Sequence, residues 1–443
     1  MRVEKDKLGE VQLEDEALYG IQSARAKENF NLDYKKTNLL LIYAIAKVKK
    51  AAAKTYIKLN TNAEKYKLIV KACDLILEGK ADDQFVVDAL QGGAGTSTNM
   101  NVNEVVANLS LVLMGNNPGE YDYIHPLDDV NRGQSTNDVY PTALRIAAID
   151  LLRNLSEACA KLQQALQEKE NAFEDVKKLG RTELMDAIPI TLGMEFGSYA
   201  QAIARDRWRI YKVEERLRQV GLGGTAVGSA VNADRKYRYG VIEELREITD
   251  MGLAIAEYPM DITQNNDVFV EVSGLLKALA VNLMKIANDF RLMNSGPYGG
   301  LGEIKLAPMQ LGSTIMPGKV NPVIPEMIMQ TAMKVIANDS AITTAAFHGE
   351  FELNAFLPLI ADSLLESLSL LINSVNLFRT KCVELVEPDR ERCNELLNRS
   401  YAFATAYTKV LGYDRVSEII AENVGNNEEI KKTLEDEVKT LGR

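Results

Sequence analysis

Between Asp267 and Met293 apolar side chains recur at Val268, Val272, Leu275, Leu276, Leu279, Leu283, Ile286 and Phe290. This three-and-four rhythm, held for about seven turns, predicts a long amphipathic helix with a wide apolar face. Comparable stretches occupy positions 140–170, 189–219, 323–346 and 352–385. They exceed the usual helix length, and alternating strand patterns are few and short. The expectation is an all-α protein built around a long-helix bundle. The apolar surplus on several faces predicts that bundles pack between subunits.

Polar breaks separate these stretches at 91–103 (QGGAGTSTNMNVN), 123–141 (YIHPLDDVNRGQSTNDVYP), 180–189 (GRTELMDAIP), 221–232 (GLGGTAVGSAVN) and 295–322. Binding groups concentrate in such connections, so all five are read as loops that carry function. The breaks suggest an N-terminal helical domain over 1–132 and a central bundle over 133–385, whose glycine-rich loop spans 306–322. A small helical domain follows over 386–443. No internal repeat or heptad series is visible.

Composition narrows the function. The 443 residues include 51 basic and 62 acidic side chains, a net charge of −11. That balance argues against nucleic acid, which needs a basic footprint to displace counterions. Cys73, Cys159, Cys382 and Cys393 lie in helix-like stretches without CxxC spacing, and read as buried thiols. Two histidines, His125 and His348, are too few for a histidine-rich metal site. The charged start MRVEKDKLGEVQLEDE lacks an apolar leader core, and no uncharged apolar run reaches the length of a membrane span. The chain therefore reads as cytoplasmic.

The chemistry begins with LGSTIMPGKVNP, residues 311–322. As a phosphate loop it fails twice: five residues rather than four separate Gly312 from Gly318, and Val320 follows Lys319 where a hydroxyl is needed. GLGGTAVG has the wrong spacing for a dinucleotide fingerprint and no strand before it. TSTN (96–99) and STND (135–138) are good helix N-cap sequences, and capping is their default role. Taken together, however, Thr96, Ser97, Asn99, Ser135, Thr136, Asn137, Thr182, Ser313, Thr314 and Asn321 form a set of hydroxyl and amide groups around one cation, Lys319. Such a set suits a carboxylate that gains charge during a reaction.

GSTIMPGKVN resembles the Gly-Ser-Ser-x-Met-Pro-x-Lys-x-Asn signature of the aspartase/fumarase superfamily, with Thr314 in place of the second serine. GGAGTSTNMNVNEVVAN, VNRGQSTNDVYPTALRIA and GRTELMDAIPITLG are similar to the other site segments of that family, in the same order. The likeness is good over residues 1–385 and poor in the tail. It implies a three-domain helical fold, usually a homotetramer with a core of about twenty helices, in which loops of three subunits meet at each active site. It also implies addition or elimination across the double bond of fumarate, without cofactor or metal.

By that resemblance Ser313 is the base, acting as an alkoxide favoured by loop amides and the nearby Lys319. Thr96, Ser135, Thr136 and Thr314 surround the carboxylate beside the reacting carbon. Lys319, Asn321 and Thr182 hold the other carboxylate, and Asn137 lies near the leaving amine. Ser97, Asn99 and Met316 join the substrate-contacting set, and Glu326 joins Ser313 and Lys319 in the catalytic one. DDQFVVD, VNPVIPEM and FELNAFLP are closer to aspartases than to fumarases. Leu127, beside His125, removes an amide from the fumarases' secondary anion site.

Glu183 departs from the family, which places histidine or glutamine there. Two carboxylates, Glu183 and Glu326, approaching in a desolvated site would not both ionise. Either Glu183 stays protonated as a hydrogen-bond partner, or it contacts a cationic amine. The expected reaction is reversible deamination of L-aspartate to fumarate and ammonia. The alternatives are a lyase for an amino acid with a substituted or quaternary amine, a fumarate hydratase, and a non-catalytic structural relative.

Overall fold

A computed structural model of the chain describes residues 1–441; positions 442 and 443, the end of the expected C-terminal domain, lie outside the described residues. The long helices form where the apolar rhythm places them: Thr136–Ala172, Leu192–Leu217, Asp267–Met293, Val323–Phe347 and Leu357–Phe378. Strands among the described residues form only two-stranded sheets, four of them. The fold is all-α in architecture, as the periodicity predicts.

Two compact units divide the chain. The first takes Met1–Ser156, Trp208–Ala278 and Met333–Ile372; the second takes Glu157–Arg207, Leu279–Ala332 and Asn373–Arg443. Each of the five long helices contributes residues to both.

In the first unit the helix Leu39–Lys58 packs against Ala63–Leu77, Thr96–Leu113 and Arg235–Thr249. Its Ile45, Val48, Ala51 and Ala52 are buried, and the small alanines let neighbouring helices approach closely. Tyr56 stacks on Tyr66 and on Tyr237, with ring centroids 4.9 and 5.0 Å apart. The helix Thr96–Leu113 buries polar side chains as well as apolar ones, among them Thr98, Asn99, Asn101, Asn103 and Glu104. Glu104 accepts hydrogen bonds from the N–H groups of Gly20, Gln22 and Ser23 and from the Ser23 hydroxyl. It thereby satisfies the free donors that open the helix Ile21–Asn29.

Leu357–Val383 is, among the described residues, the one helical run long and apolar enough to cross a membrane by length and composition, and most of it is buried inside the protein. Its two carboxylates are paired within the protein. Asp362 and Glu366 pair with Lys35 at 2.8 and 3.1 Å.

In the second unit Phe290 meets both Phe196 and Phe378 at 5.4 Å between ring centroids. The segment 180–189, expected as an irregular loop, is instead most of a β-hairpin of Lys177–Thr182 and Met185–Thr191. Its two turn residues, Glu183 and Leu184, both have positive φ (54° and 65°). That is the geometry of a tight primed turn, whose twist matches paired strands. A small core of Ala404, Val416, Ile419, Ile430 and Leu434 organises the C-terminal helices. All four cysteines are free and buried, and burial pushes each thiol up to about 12.

One buried carboxylate ties the hairpin to the glycine-rich segment after helix Asp267–Met293. Glu303 is fully buried and lies 3.0 Å from Lys178, itself buried, and 2.9 Å from Arg181. Lys178 also meets Glu195 at 2.7 Å. The Glu303 backbone bonds to the Met293 carbonyl on one side and receives the Asp389 N–H on the other. Breaking such a buried pair on one side leaves an uncompensated charge and costs about 3–5 kcal/mol. Glu303→Ala should fall toward the lower end of that range in urea unfolding, because Glu195 still holds Lys178. Amide exchange should rise first in the hairpin.

Candidate active site

Most of the site residues named from sequence fall into two clusters, one in each unit, while Thr182 and Glu183 lie on the hairpin of the second unit. In the first, Ser135 caps the helix Thr136–Ala172. Its Oγ accepts the Asn137 N–H at 3.2 Å while Asp138 reaches back to accept the Ser135 N–H at 3.0 Å. This reciprocal arrangement is a capping box. Because the Ser135 oxygen serves as an acceptor, its own hydroxyl proton is available to a ligand. Thr136 is prepared the same way: its Oγ1 accepts from Asn99 Nδ2 at 3.0 Å. The Asn137 amide donates to the Ala226 carbonyl at 2.8 Å, leaving its Oδ1 as an acceptor suited to an ammonium group.

Asp138 is buried and anchors this corner through the N–H groups of Ser135, Gly223 and Thr225. Burial pushes its carboxyl up to about 6, against those three bonds. The GLGGTAVG segment thus docks on a helix-start carboxylate rather than on a dinucleotide.

The expected N-cap at 96–99 is not formed by a side chain. The helix begins at Thr96 after a left-handed Gly95, whose φ is 92°. A Cβ on Gly95 would lie 2.3 Å from the buried Tyr140 ring, so that position requires glycine. Thr96 spends its hydroxyl proton on the Gly93 carbonyl at 2.7 Å. In this arrangement it offers lone pairs, not the donor expected of it. Ser97 is half-buried in the same first turn, and Asn99 is buried with its Oδ1 unpartnered. His125 is committed locally, its Nδ1 accepting from Leu127 and Asp128.

The second cluster is built on the 311–322 loop. Gly312 N–H bonds to the Lys319 carbonyl at 2.9 Å, and Asn321 Nδ2 bonds to the Gly312 carbonyl at 3.0 Å. Asn321, expected on substrate, thus uses one amide proton to close the neck of the loop. Inside the loop, Ser313 Oγ accepts two backbone N–H groups, from Ile315 at 3.2 Å and Met316 at 3.0 Å. Two donors aimed at one hydroxyl oxygen favour its negative form. Thr314, Met316 and Lys319 are exposed on the same loop.

A cavity of about 540 Å³ lies behind the neck and is lined by Lys319, Asn321 and Glu326 together with Arg291, Lys305 and Lys381. Lys305 is paired with Asp389 at 2.8 Å. Arg291 has a buried Nε without a partner, its Nη1 meeting only the Met329 sulfur at 3.4 Å. Arg291 and Lys381 were not found from sequence, because nothing local separates them from ordinary surface cations. Ser313, Thr314, Thr182 and Glu183 are not among the lining residues. Thr182 and Glu183 stand exposed at the hairpin tip. Arg181, two residues before Glu183, is committed to Glu303 instead. Within this chain Glu326 lines the cavity and Glu183 does not.

The preorganised donors of the first unit, and the cation-lined cavity and loop serine of the second, are each suited to an acidic ligand. Comparison with known proteins agrees. The family described as lyase matches residues 9–337. Over 97% of its length the chain is 44% identical to the aspartate ammonia-lyase of Helicobacter pylori, covering 92% of that protein. It is 43% identical to that of Bacillus subtilis, with 97% and 91% of the two chains covered. A Brucella melitensis structure described as fumarate lyase:delta crystallin bound to cobalt superimposes with a TM-score of 0.95 at 44% identity, covering 99% of this chain and 97% of that one. The class II fumarase of Schistosoma mansoni gives 0.94 at 31% identity, covering 98% and 95%. The chain belongs to this lyase family, the aspartase/fumarase superfamily. It is an enzyme, a carbon–nitrogen lyase of the aspartate ammonia-lyase type.

The loop neck yields a direct test. A Cβ on Gly312 would lie 2.4 Å from the Lys319 carbonyl oxygen. Gly312→Ala should therefore open the neck, with faster proteolysis between 312 and 320 and a turnover loss of about 100-fold, the usual cost of misplacing a reacting group. The melting temperature should hardly move, because the loop is exposed.

Proposed function

We propose that this enzyme catalyses the reversible deamination of L-aspartate to fumarate and ammonia, as a cytoplasmic homotetramer whose active sites combine loops of three subunits. Ser313, as alkoxide, takes the proton from the carbon beside one carboxylate. The electron pair left behind spreads into that carboxylate as an enediolate and then forms the double bond, expelling the amine from the opposite face. The proton rests on Ser313 Oγ and is passed to solvent before the next turnover.

The observation that carries this reading is the pair of N–H groups on Ser313 Oγ, since a serine without such support is a very weak base. Ser135 and Thr136, each already accepting from behind, direct their hydroxyl protons to the carboxylate that gains charge. Lys319 and Asn321, with Thr182, hold the other carboxylate, and Asn137 Oδ1 receives the ammonium group. Identity of 43–44% to aspartate ammonia-lyases over nearly the whole chain supports the choice of substrate.

A second reading rests on Glu183. It is exposed, has no ion-pair partner among the described residues and sits at a positive-φ turn. An unneutralised carboxylate favours a cationic ligand, which leaves open a substituted or quaternary amine as leaving group.

Purified protein offered aspartate, malate and a panel of N-substituted and N-methylated amino acids, followed by the ultraviolet absorbance of the new conjugated acid, separates these readings. Aspartate turnover is expected. Turnover of malate alone would make the chain a hydratase, and silence on every substrate would make it a structural relative. Ser313→Ala should lower turnover by about 10²–10⁴-fold with little change in substrate affinity. Glu183→Gln should leave aspartate turnover within a few-fold; a large loss would place Glu183 on the amine.

A further inference from the structure

Lys49 lies in the run VKKAAAK, on the helix Leu39–Lys58, yet it is completely buried. A buried ammonium normally sits against a carboxylate. Lys49 does not. Its Nζ donates to two neutral amide oxygens, Asn131 Oδ1 at 2.8 Å and Gln134 Oε1 at 2.9 Å. The charged or titratable groups that act on it are Asp138 and Cys73, neither within hydrogen-bond distance. Burial pushes the Lys49 ammonium down to about 7, with Asp138 working in the opposite sense, so the charge is retained below pH 7 and the comparisons that follow are made there.

The polar chain leading away from Lys49 ends at the site. Asn131 Oδ1 accepts from Lys49 and also from Asn99 Nδ2 at 3.2 Å. The same Asn99 nitrogen donates to Thr136 Oγ1. Every member of the chain is therefore oriented: the ammonium fixes Asn131 as an acceptor, which fixes Asn99 as a donor, which leaves the Thr136 hydroxyl proton free to donate outward. Both residues that contact Lys49 belong to the segment 131–134, immediately before Ser135 and Thr136.

We propose that Lys49 is a positioning residue for the elimination, a buried positive charge that acts through Asn131 and Asn99 to set Thr136 as a donor and to stabilise the second negative charge of the enediolate. The inference rests on the reading of Thr136 as a contact of the reacting carboxylate. It goes beyond that reading by adding a charge from behind the site that no loop motif contains. A charge used this way does little for the ground state and much for the intermediate. It is also expensive to fold, since an unpaired buried ammonium is disfavoured.

Two variants separate charge from packing. Lys49→Met removes the charge and keeps the length; Lys49→Gln keeps a donor for the amide oxygens without the charge, and serves if the methionine variant does not fold. Each is compared with the wild-type protein for turnover, thermal melting, and binding of two unreactive ligands. Succinate mimics the ground state, and the nitronate form of 3-nitropropionate carries an extra charge where the enediolate does. Wild-type protein should prefer the nitronate. Both variants should lose turnover by about 100-fold, the cost of one preorganised oxyanion group, with KM within a few-fold. The same factor should vanish from nitronate affinity and succinate affinity should hold; melting should fall modestly in the methionine variant, which leaves two amide oxygens without a donor, and less in the glutamine variant. Equal losses for both ligands, or a fall in melting that tracks the loss of turnover, would make Lys49 a structural residue and overturn the proposal. Nitronate preference retained in the variants would overturn it too. A wild-type protein with no nitronate preference would remove the enediolate reading itself, and the inference with it.

Discussion

Ser135 Oγ accepts the Asn137 N–H, Thr136 Oγ1 accepts the Asn99 amide, and Ser313 Oγ accepts two loop N–H groups. In each case the oxygen is satisfied from the protein side, so what faces outward is fixed in kind. A hydroxyl can donate once; if it donates inward, as Thr96 does to Gly93, it has nothing to offer a developing oxyanion. Chemistry at a carboxylate that gains charge depends on this constraint more than on how many hydroxyls are present. It ranks residues that look equivalent in the sequence: Ser135 and Thr136 keep a proton to donate, Thr96 does not, and Ser313 Oγ takes two N–H groups from its own loop.

Holding those hydroxyls requires buried polar groups that would be costly without partners. The helix Thr96–Leu113 accordingly buries Asn99, Asn101, Asn103 and Glu104, and Glu104 has its carboxylate taken up by the start of another helix. Asp138 is likewise held by three backbone N–H groups. In the second unit Glu303 does the corresponding work, joining the hairpin, the end of the helix Asp267–Met293 and the segment that leads to the Ser313 loop. Long helices supply stiffness, and buried charges at their ends supply register.

The helix pattern was legible because burial of one face imposes a period that the chain cannot hide: the five long helices form close to where the rhythm places them. The helix Thr96–Leu113 was less so, since its first turns bury threonine and asparagine and read as a polar break. The hairpin 177–191 was missed because its strands are short, half-exposed and interrupted by Gly180 and Pro189, while its turn uses Glu183 and Leu184 at positive φ rather than glycine or asparagine. The loop motif around Ser313 was legible as a spacing, but the N–H groups on its oxygen and the use of Asn321 at the loop neck are consequences of backbone course.

From the sequence alone came the helical class, the absence of a nucleotide loop, the likeness to a lyase family and the hydroxyl, amide and lysine groups proposed for the site, because periodicity and residue chemistry are local properties. The tertiary structure decided which hydroxyls donate and which are spent, that Glu183 stands on a hairpin tip apart from the cavity beside Glu326, and that Lys49 is buried while its neighbour Lys50 reaches Asp74 near the surface. Those outcomes depend on which donors and charges are brought within about 3 Å of one another by distant parts of the chain, and no run of adjacent residues encodes such a distance.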